Sequence, residues 1–382
     1  MNYEARRLFL GAVVLSVFLA VLRQAELAPD PGIYRDRMAL LFDGQVPYVG
    51  FFFEHFPLAI LPMALAWLVG GAFSSAAYTI LFAVMMAMCL GLTMALVERT
   101  GVRLGTTALG LRWLALAGPL FPIVLFRSDP FPVLLAIAGL YAMVTGRERL
   151  AITMELGGIL TKGWPVVLAV PEWWRGRRWR ALLLMVVTLA VAGALITFPG
   201  FSQSRQFTGI HSETTVGAAF TLTRIWSGSS LELINEAGAT YVAVPMWATI
   251  SNLGFGVALL LVALYRLKPG FSWDASNRLM ATAVVAILIA APLLSPQFVL
   301  WPTPFLALHS NRAVRHTGIA VSALTLIYML AWNPGFEGDM WWVGVVNLRN
   351  LVLLGLGIMC VVTVNGDDLA ASSVDRGSGQ SA

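Results

Sequence analysis

The chain has 382 residues, 58% of them hydrophobic and 12% charged, with a mean hydropathy of +0.77. That composition excludes a soluble globular domain and describes an all-α polytopic membrane protein. The net charge of +5 is spread over short segments between apolar runs and forms no continuous basic patch, so nucleic acid is excluded as a partner.

Apolar runs of spanning length fall at about 8–24, 76–97, 106–126, 130–146, 181–197, 240–265, 276–293, 294–310, 317–333 and 342–363, which predicts about ten transmembrane helices. Arg6-Arg7 precedes the first run and no small-residue cleavage site follows it, as in a retained helix rather than a removed signal peptide. Cys89 and Cys360 fall inside apolar runs and read as core packing.

Residues 25–57 are a polar interruption between lipid-compatible stretches. Asp30-Pro31-Gly32 predicts a turn at the end of the first run. From Ile33 to Phe42, Tyr34, Met38, Leu41 and Phe42 recur at helical spacing while Arg35, Asp36 and Asp43 face away, as in a helix lying on a membrane surface, and Asp43-Gly44 stops it. An acid and an imidazole, Glu54 and His55, then stand among aromatic residues.

Two further apolar runs, 57–71 and 150–171, are decided by the distribution of Lys and Arg. Clusters at 6–7, 99–112, 147–149, 175–180, 266–278 and 312–315 hold sixteen of the 25 cations, and they share one side only if neither run crosses the membrane. The first is therefore read as one of a pair of outer interfacial helices, and the second as a re-entrant hairpin broken at Lys162-Gly163-Trp164-Pro165. Both termini are then cytoplasmic. Eleven of the twenty acids go to the other face: Glu26, Asp30, Asp36, Asp43, Glu54, Asp129, Glu213, Glu232, Glu236, Glu337 and Asp339. Residues 1–363 form one transmembrane domain, with 25–75 its outer loop, and 364–382 a disordered cytoplasmic tail.

No P-loop, HExxH, CxxC or GxSxG occurs, so nucleotide hydrolysis, zinc proteolysis, thiol redox chemistry and ordinary serine hydrolysis lack their parts; no cofactor and no metal are expected. What remains is carboxylates and isolated cations. Asp30, where the first helix leaves the bilayer, reads as a general base or as a helix-end turn residue. Arg127, in Arg127-Ser128-Asp129-Pro130, reads as a phosphate ligand or as the structural partner of Asp129. Lys162 and Arg349 lie within hydrophobic sequence and need partners; Glu155 or a lipid phosphate suits Lys162, and Arg349 either binds an anion or snorkels.

The outer loop 198–239 carries Arg205, Gln206, His211, Ser212, Glu213, Arg224 and Trp226, a mixture suited to sugar binding. Ser295-Pro296-Gln297 marks an outer turn, and the Trp- and Arg-rich stretch 173–180 reads as a cytoplasmic interfacial anchor.

Several short segments together resemble the GT-C integral-membrane glycosyltransferases, specifically the polyprenol-phosphate-mannose-dependent mannosyltransferases of actinobacteria. They are Asp30-x-x-x-Tyr34, Asp43-Gly44-Gln45-Val46-Pro47-Tyr48, Glu54-His55-Phe56-Pro57, Arg127-Ser128-Asp129, Thr161-Lys162-Gly163-Trp164-Pro165, His211-Ser212-Glu213 and Ser295-Pro296-Gln297-Phe298. Members usually carry an Asp where this chain has Gly50, and read EYPP where it has Glu54-His55-Phe56-Pro57.

The resemblance implies a GT-C-like bundle and a catalytic Asp in the first outer loop, which is Asp30 with Asp36 in reserve. It also implies a periplasm-facing site, a polyprenyl-phosphate sugar donor and no bound nucleotide. Arg127, Lys162 and Arg349 are the candidates for the donor phosphate. Tyr34, Glu54, His55, Asp129, His211, Glu213 and Gln297 are those for the sugar and a lipid or glycan acceptor. A transporter or flippase of a lipid-linked or small polar substrate is the alternative expectation.

Overall fold

A computed structural model describes residues 3–22, 30–198, 201, 210–229, 233–236, 239–266, 272–331 and 340–364. The expectations for Glu26, Arg205, Gln206, Glu232, Glu337, Asp339 and the tail 365–382 lie outside the described residues.

The first helix, α1 (Tyr3–Leu22), leads to α2 (Asp30–Phe42), which takes in the expected turn at Asp30-Pro31-Gly32 as its own first turn. Proline is compatible with that position because the first N–H groups of a helix have no intrahelical acceptor. A helical stretch from Pro57 to Gly71 has α3 (Ile60–Ala66) at its centre. Both of its ends meet the same end of the bundle: a Cβ at Gly163 would lie 3.3 Å from the Phe56 ring, and the Gly71 carbonyl accepts Arg35 Nε at 3.1 Å. The stretch thus lies beside α2 and reaches the break after α8.

Helix α4 (Ser75–Arg103) starts from Ser74, whose side chain accepts the Ala77 N–H at 3.0 Å. Then come α5 (Leu109–Ala117), interrupted at Gly118-Pro119, α6 (Phe121–Val124), α7 (Pro130–Val144) and α8 (Glu148–Lys162). Gly163, at φ +63°, breaks α8, and the chain returns through a 3₁₀ turn and α9 (Ala169–Trp174). Because Arg177 and Arg180 both bind Glu148, the return leg ends where α8 began, which is the geometry of a hairpin.

Helix α10 (Arg178–Thr197) follows, and then a segment the all-α expectation did not contain. Strands β1 (Ile210–His211), β2 (Leu233–Glu236) and β3 (Ala239–Val242) form an antiparallel sheet in the order β1-β3-β2, with α11 (Thr215–Trp226) between the first two. The remainder is α12 (Met246–Arg266), α13 (Trp273–Ala290), α14 (Thr303–Leu308), α15 (Arg312–Ala331) and α16 (Met340–Thr363).

Among the described helices six are long and apolar enough to cross a membrane, namely α4, α10, α12, α13, α15 and α16, so the chain is a multi-pass membrane protein. The expected run 294–310 is not one helix. Pro296, Pro302 and Pro304 divide it into a 3₁₀ turn at Pro296–Leu300 and the short α14. Only 22% of the apolar window of α10 and of α12 is buried, against 72% for α13, so α13 is central and the other two face the lipid. Cys89 is half-buried and Cys360 buried, both as free thiols.

The basic segments 175–180 and 266–278 meet the ends of α7 and α16. Arg278 donates to the Thr363 carbonyl at 2.6 Å and to Ser310 at 2.9 Å, Arg266 to the Val362 carbonyl at 3.3 Å, and Arg175 to the Met143 carbonyl at 3.4 Å. The opposite end holds the acids and cations described next.

Candidate active site

Asp30 is the first residue of α2, where a carboxylate also benefits from the helix dipole. Tyr34, one turn on and buried, donates its hydroxyl to Asp30 Oδ2 at 2.9 Å. The same oxygen is ion-paired to Nη1 of Arg127, from the short connection between α6 and α7. Burial raises the Tyr34 phenol well above its ordinary value, and Asp30 adds to this, so Tyr34 remains a proton donor. Burial pulls the Arg127 guanidinium down, but Asp30 and Tyr34 outweigh it and hold Arg127 above its ordinary value, so it remains a cation. Its Nε is buried without a hydrogen-bond partner.

Asp129 is almost fully enclosed, and its Oδ1 accepts from Lys162 Nζ at 2.8 Å and from Trp301 Nε1 at 2.6 Å. Lys162 also lies over the rings of Phe298 (4.5 Å) and Trp301 (5.3 Å), and Trp164 stacks on Trp301 at 5.6 Å. The partners thus differ from those the sequence suggested. Lys162 pairs with Asp129 rather than Glu155, whose two carboxylate oxygens are buried without hydrogen-bond partners. Arg127 pairs with Asp30 rather than Asp129.

Glu54 is ion-paired to Arg37 and lies 3.3 Å from His55 Nε2. Burial pushes the Glu54 carboxyl up, yet His55 and Arg37 outweigh it and hold the group at about 2. The His55 ring is edge-on to Tyr34 and Phe53, with centroids 5.5 Å away in each case, which ties this group to α2. The preceding loop is tight. Tyr48 has φ +69° and donates to the His55 carbonyl at 2.8 Å, and a Cβ at Gly50 would meet the Val46 amide nitrogen at 3.2 Å. The absence of an Asp at position 50 therefore has a steric counterpart.

A third group lies on α15 and α16. Glu213 Oε2 accepts the Tyr328 hydroxyl at 2.5 Å and stands 4.0 Å from Arg349 Nη2, which donates to the Glu213 carbonyl at 2.8 Å. Arg349 is fully buried over the Tyr328 ring at 5.3 Å, so it does not snorkel.

His211 is buried against Tyr241, and its Nδ1 accepts the Glu213 N–H at 3.4 Å. Burial and the charge of Arg349 push His211 down to about 3 against a hydrogen bond with Leu294, so it is a neutral packing residue. Gln297 is buried and accepts from Ser295 Oγ at 2.6 Å.

Asp30, Tyr34, Arg127, Asp129, Lys162, Glu54 and His55 thus gather at one end of the bundle. Asp36 does not join them; its side chain is 78% exposed and lies 3.6 Å from Arg35. Arg37, Trp301 and Tyr328 belong to the site without having been singled out in the sequence. Arg37 had a readable signal, since it lies one helical turn beyond Tyr34. A groove of about 650 Å³ between α12 and α16 lies elsewhere; Phe255, Leu259, Val262 and Ile358 line it, with Arg266. Among the described residues no group of three or more His, Cys, Asp or Glu is placed to hold a metal ion.

No family model matches the chain, and no curated protein matches it. Among solved structures it is similar to the crystal structure of ArnT from Cupriavidus metallidurans in the apo state, at 14% sequence identity over 93% of this chain and 77% of that chain, with a TM-score of 0.41.

Proposed function

We propose that the chain is a GT-C-type membrane glycosyltransferase that moves a sugar, mannose in the first instance, from a polyprenyl-phosphate donor to a lipid or glycan acceptor at the outer face of a bacterial plasma membrane. In this reading both termini are cytoplasmic, and no cofactor takes part. The observation that carries it is the array centred on Asp30, a carboxylate held by a buried phenol, Tyr34, and by the mostly enclosed guanidinium of Arg127, with a second anchored cation, Lys162, on Asp129 two positions along from Arg127. A general base next to a phosphate-binding cation is what displacement of a phosphate leaving group by a hydroxyl requires.

Asp30 takes the proton of an acceptor hydroxyl, whose oxygen attacks the anomeric carbon in line with the departing phosphate. Inversion follows, so a β-linked donor gives an α-linked product. Arg127 stabilises the charge that collects on the leaving phosphate, and Lys162 contributes to the same field from its place on Asp129. Glu54, His55, Asp129 and Glu213 are the groups that orient sugar and acceptor hydroxyls, and His211 and Gln297 support them from the segments after β1 and before α14.

The test uses membranes containing the wild type or Asp30→Asn, supplied with radiolabelled polyprenyl-phosphate mannose and a membrane lipid extract. Label should enter a glycolipid with the wild type and fall by at least about a hundredfold with the variant. Equal labelling by both would remove Asp30 from the role of base. Absence of transfer from any lipid-phosphate sugar would favour a transporter or flippase.

A further inference from the structure

Of the described cations at the site, Arg127 has its principal partner in the carboxylate read as the base. Lys162 is held by Asp129, Arg37 by Glu54, and Arg349 donates to the Glu213 carbonyl. Asp30 Oδ2 receives both the guanidinium and the Tyr34 hydroxyl. Both donors lie on one oxygen of the carboxylate, and the guanidinium that holds it is the same group an incoming phosphate would need. Carboxylate and phosphate therefore compete for Arg127. Arg127 has a second face, because its buried Nε has no partner, and a guanidinium binds phosphate through two parallel N–H groups.

We propose that Arg127 exchanges partners: an arriving lipid phosphate takes the guanidinium from Asp30, and the freed carboxylate, still held by Tyr34, becomes the base. This rests on the reading of the site as a lipid-phosphate sugar transferase. Donor binding is then the step that releases the carboxylate from its cation, so the donor precedes activation of the acceptor. In the transfer that follows, the acceptor O–H bond breaks and its proton goes to Asp30. The acceptor oxygen bonds to the anomeric carbon, and the bond from that carbon to the phosphate oxygen breaks with its electron pair going to the phosphate. When the lipid phosphate leaves, Asp30 releases its proton to water and pairs with Arg127 again. Tyr34 is a positioning residue in this scheme, acting through the orientation of the carboxylate.

Exchange makes Asp30 a competitor of the phosphate, which equilibrium binding of polyprenyl phosphate to the purified full-length protein in mixed micelles can read. Asp30→Asn should bind polyprenyl phosphate about tenfold more tightly than the wild type while failing to transfer sugar. Arg127→Gln should bind it more weakly, and adding Asp30→Asn to Arg127→Gln should produce no tightening. Tightening of the same size in both backgrounds would indicate a general charge effect and overturn the exchange. Unchanged or weaker binding by Asp30→Asn would also overturn it, and in that case wild-type transfer would leave the enzyme reading standing. Arg127→Met, which also removes the cation and fills the space with an unbranched apolar side chain, serves in place of Arg127→Gln if that variant does not fold, with the same outcomes. Inorganic phosphate run in parallel should bind at least about a hundredfold more weakly; equal affinity would reassign the site to free phosphate and overturn the lipid assignment.

Discussion

Lys162 and Asp129 are 33 positions apart in the chain, yet Nζ and Oδ1 meet at 2.8 Å, so the tip of the α8–α9 hairpin is anchored to the start of α7. The carboxylate is enclosed while 18% of the lysine side chain is exposed. Lys162→Met should therefore cost about 3 kcal/mol, at the lower end for breaking a buried pair. Asp129→Asn should cost less, because the Trp301 bond has an oxygen to keep. Thermal unfolding of the purified variants measures both, and equal losses would refute the asymmetry.

Asp30 and Arg127 should be strongly non-additive. Removing either leaves the other buried without its charge partner, so each single variant loses stability, whereas Asp30→Asn combined with Arg127→Gln loses less than the sum. A double-mutant cycle on unfolding midpoints checks this, with a coupling of about 1–3 kcal/mol expected.

Tyr34→Phe removes one hydrogen bond to Asp30 and leaves the ring packing against Phe82 and His55 intact. About 1 kcal/mol of stability should be lost. In the proposed reaction the rate at saturating donor should fall by roughly tenfold with donor binding unchanged, as a loss of carboxylate orientation rather than of phosphate contact. Initial rates against donor concentration separate the two.

The pH dependence of stability has two local sources of known sign. Glu54 is held at about 2 against an ordinary 4.5, so its contribution is present above pH 4.5 and is lost as pH falls from there through 2. Glu54→Gln should be less stable than the wild type at pH 6, with the gap closing below pH 3. His211 is held at about 3 against 6.5, so between those values the unfolded chain binds the extra proton and stability rises with pH. His211→Asn should flatten that part of the curve. Melting temperatures across pH 3–7 test both signs.

Gly163→Ala should destabilise the hairpin by about 1–3 kcal/mol, because position 163 has φ +63° and the new methyl would meet Phe56 at 3.3 Å. Limited proteolysis at residues 162–169 offers a local readout alongside the melting temperature.

Several of these features are legible in the sequence alone. The turn-forming Gly163-Trp164-Pro165 broke an apolar run at a cation, and the alternation of basic segments required that hairpin to return to its own side, which Glu148 does by binding Arg177 and Arg180. Asp30, Tyr34 and Arg127 could be nominated because polar groups at the ends of apolar runs are few. Their pairing could not, since Arg127 has Asp129 two positions away and its partner lies 97 positions earlier. The three-stranded sheet was invisible because β1 is two residues long and its partner follows about thirty positions later. The break in 294–310 was hidden by hydropathy that ignores the three prolines. Trp301 carries no signal of its own in the sequence, because an indole in an apolar run ordinarily reports packing, whereas here its N–H secures Asp129.

The clasp on Glu213 bears on how the chain is built. Arg349 and Asn350 grip the Glu213 carbonyl from 136 and 137 positions downstream, and Asn350 also holds the Thr214 carbonyl at 3.1 Å. During synthesis the loop after β1 must emerge and wait until the final helix has been inserted. That wall of the site is therefore a late event in biogenesis, and a ribosome that stops short of residue 349 leaves the loop without its fastening.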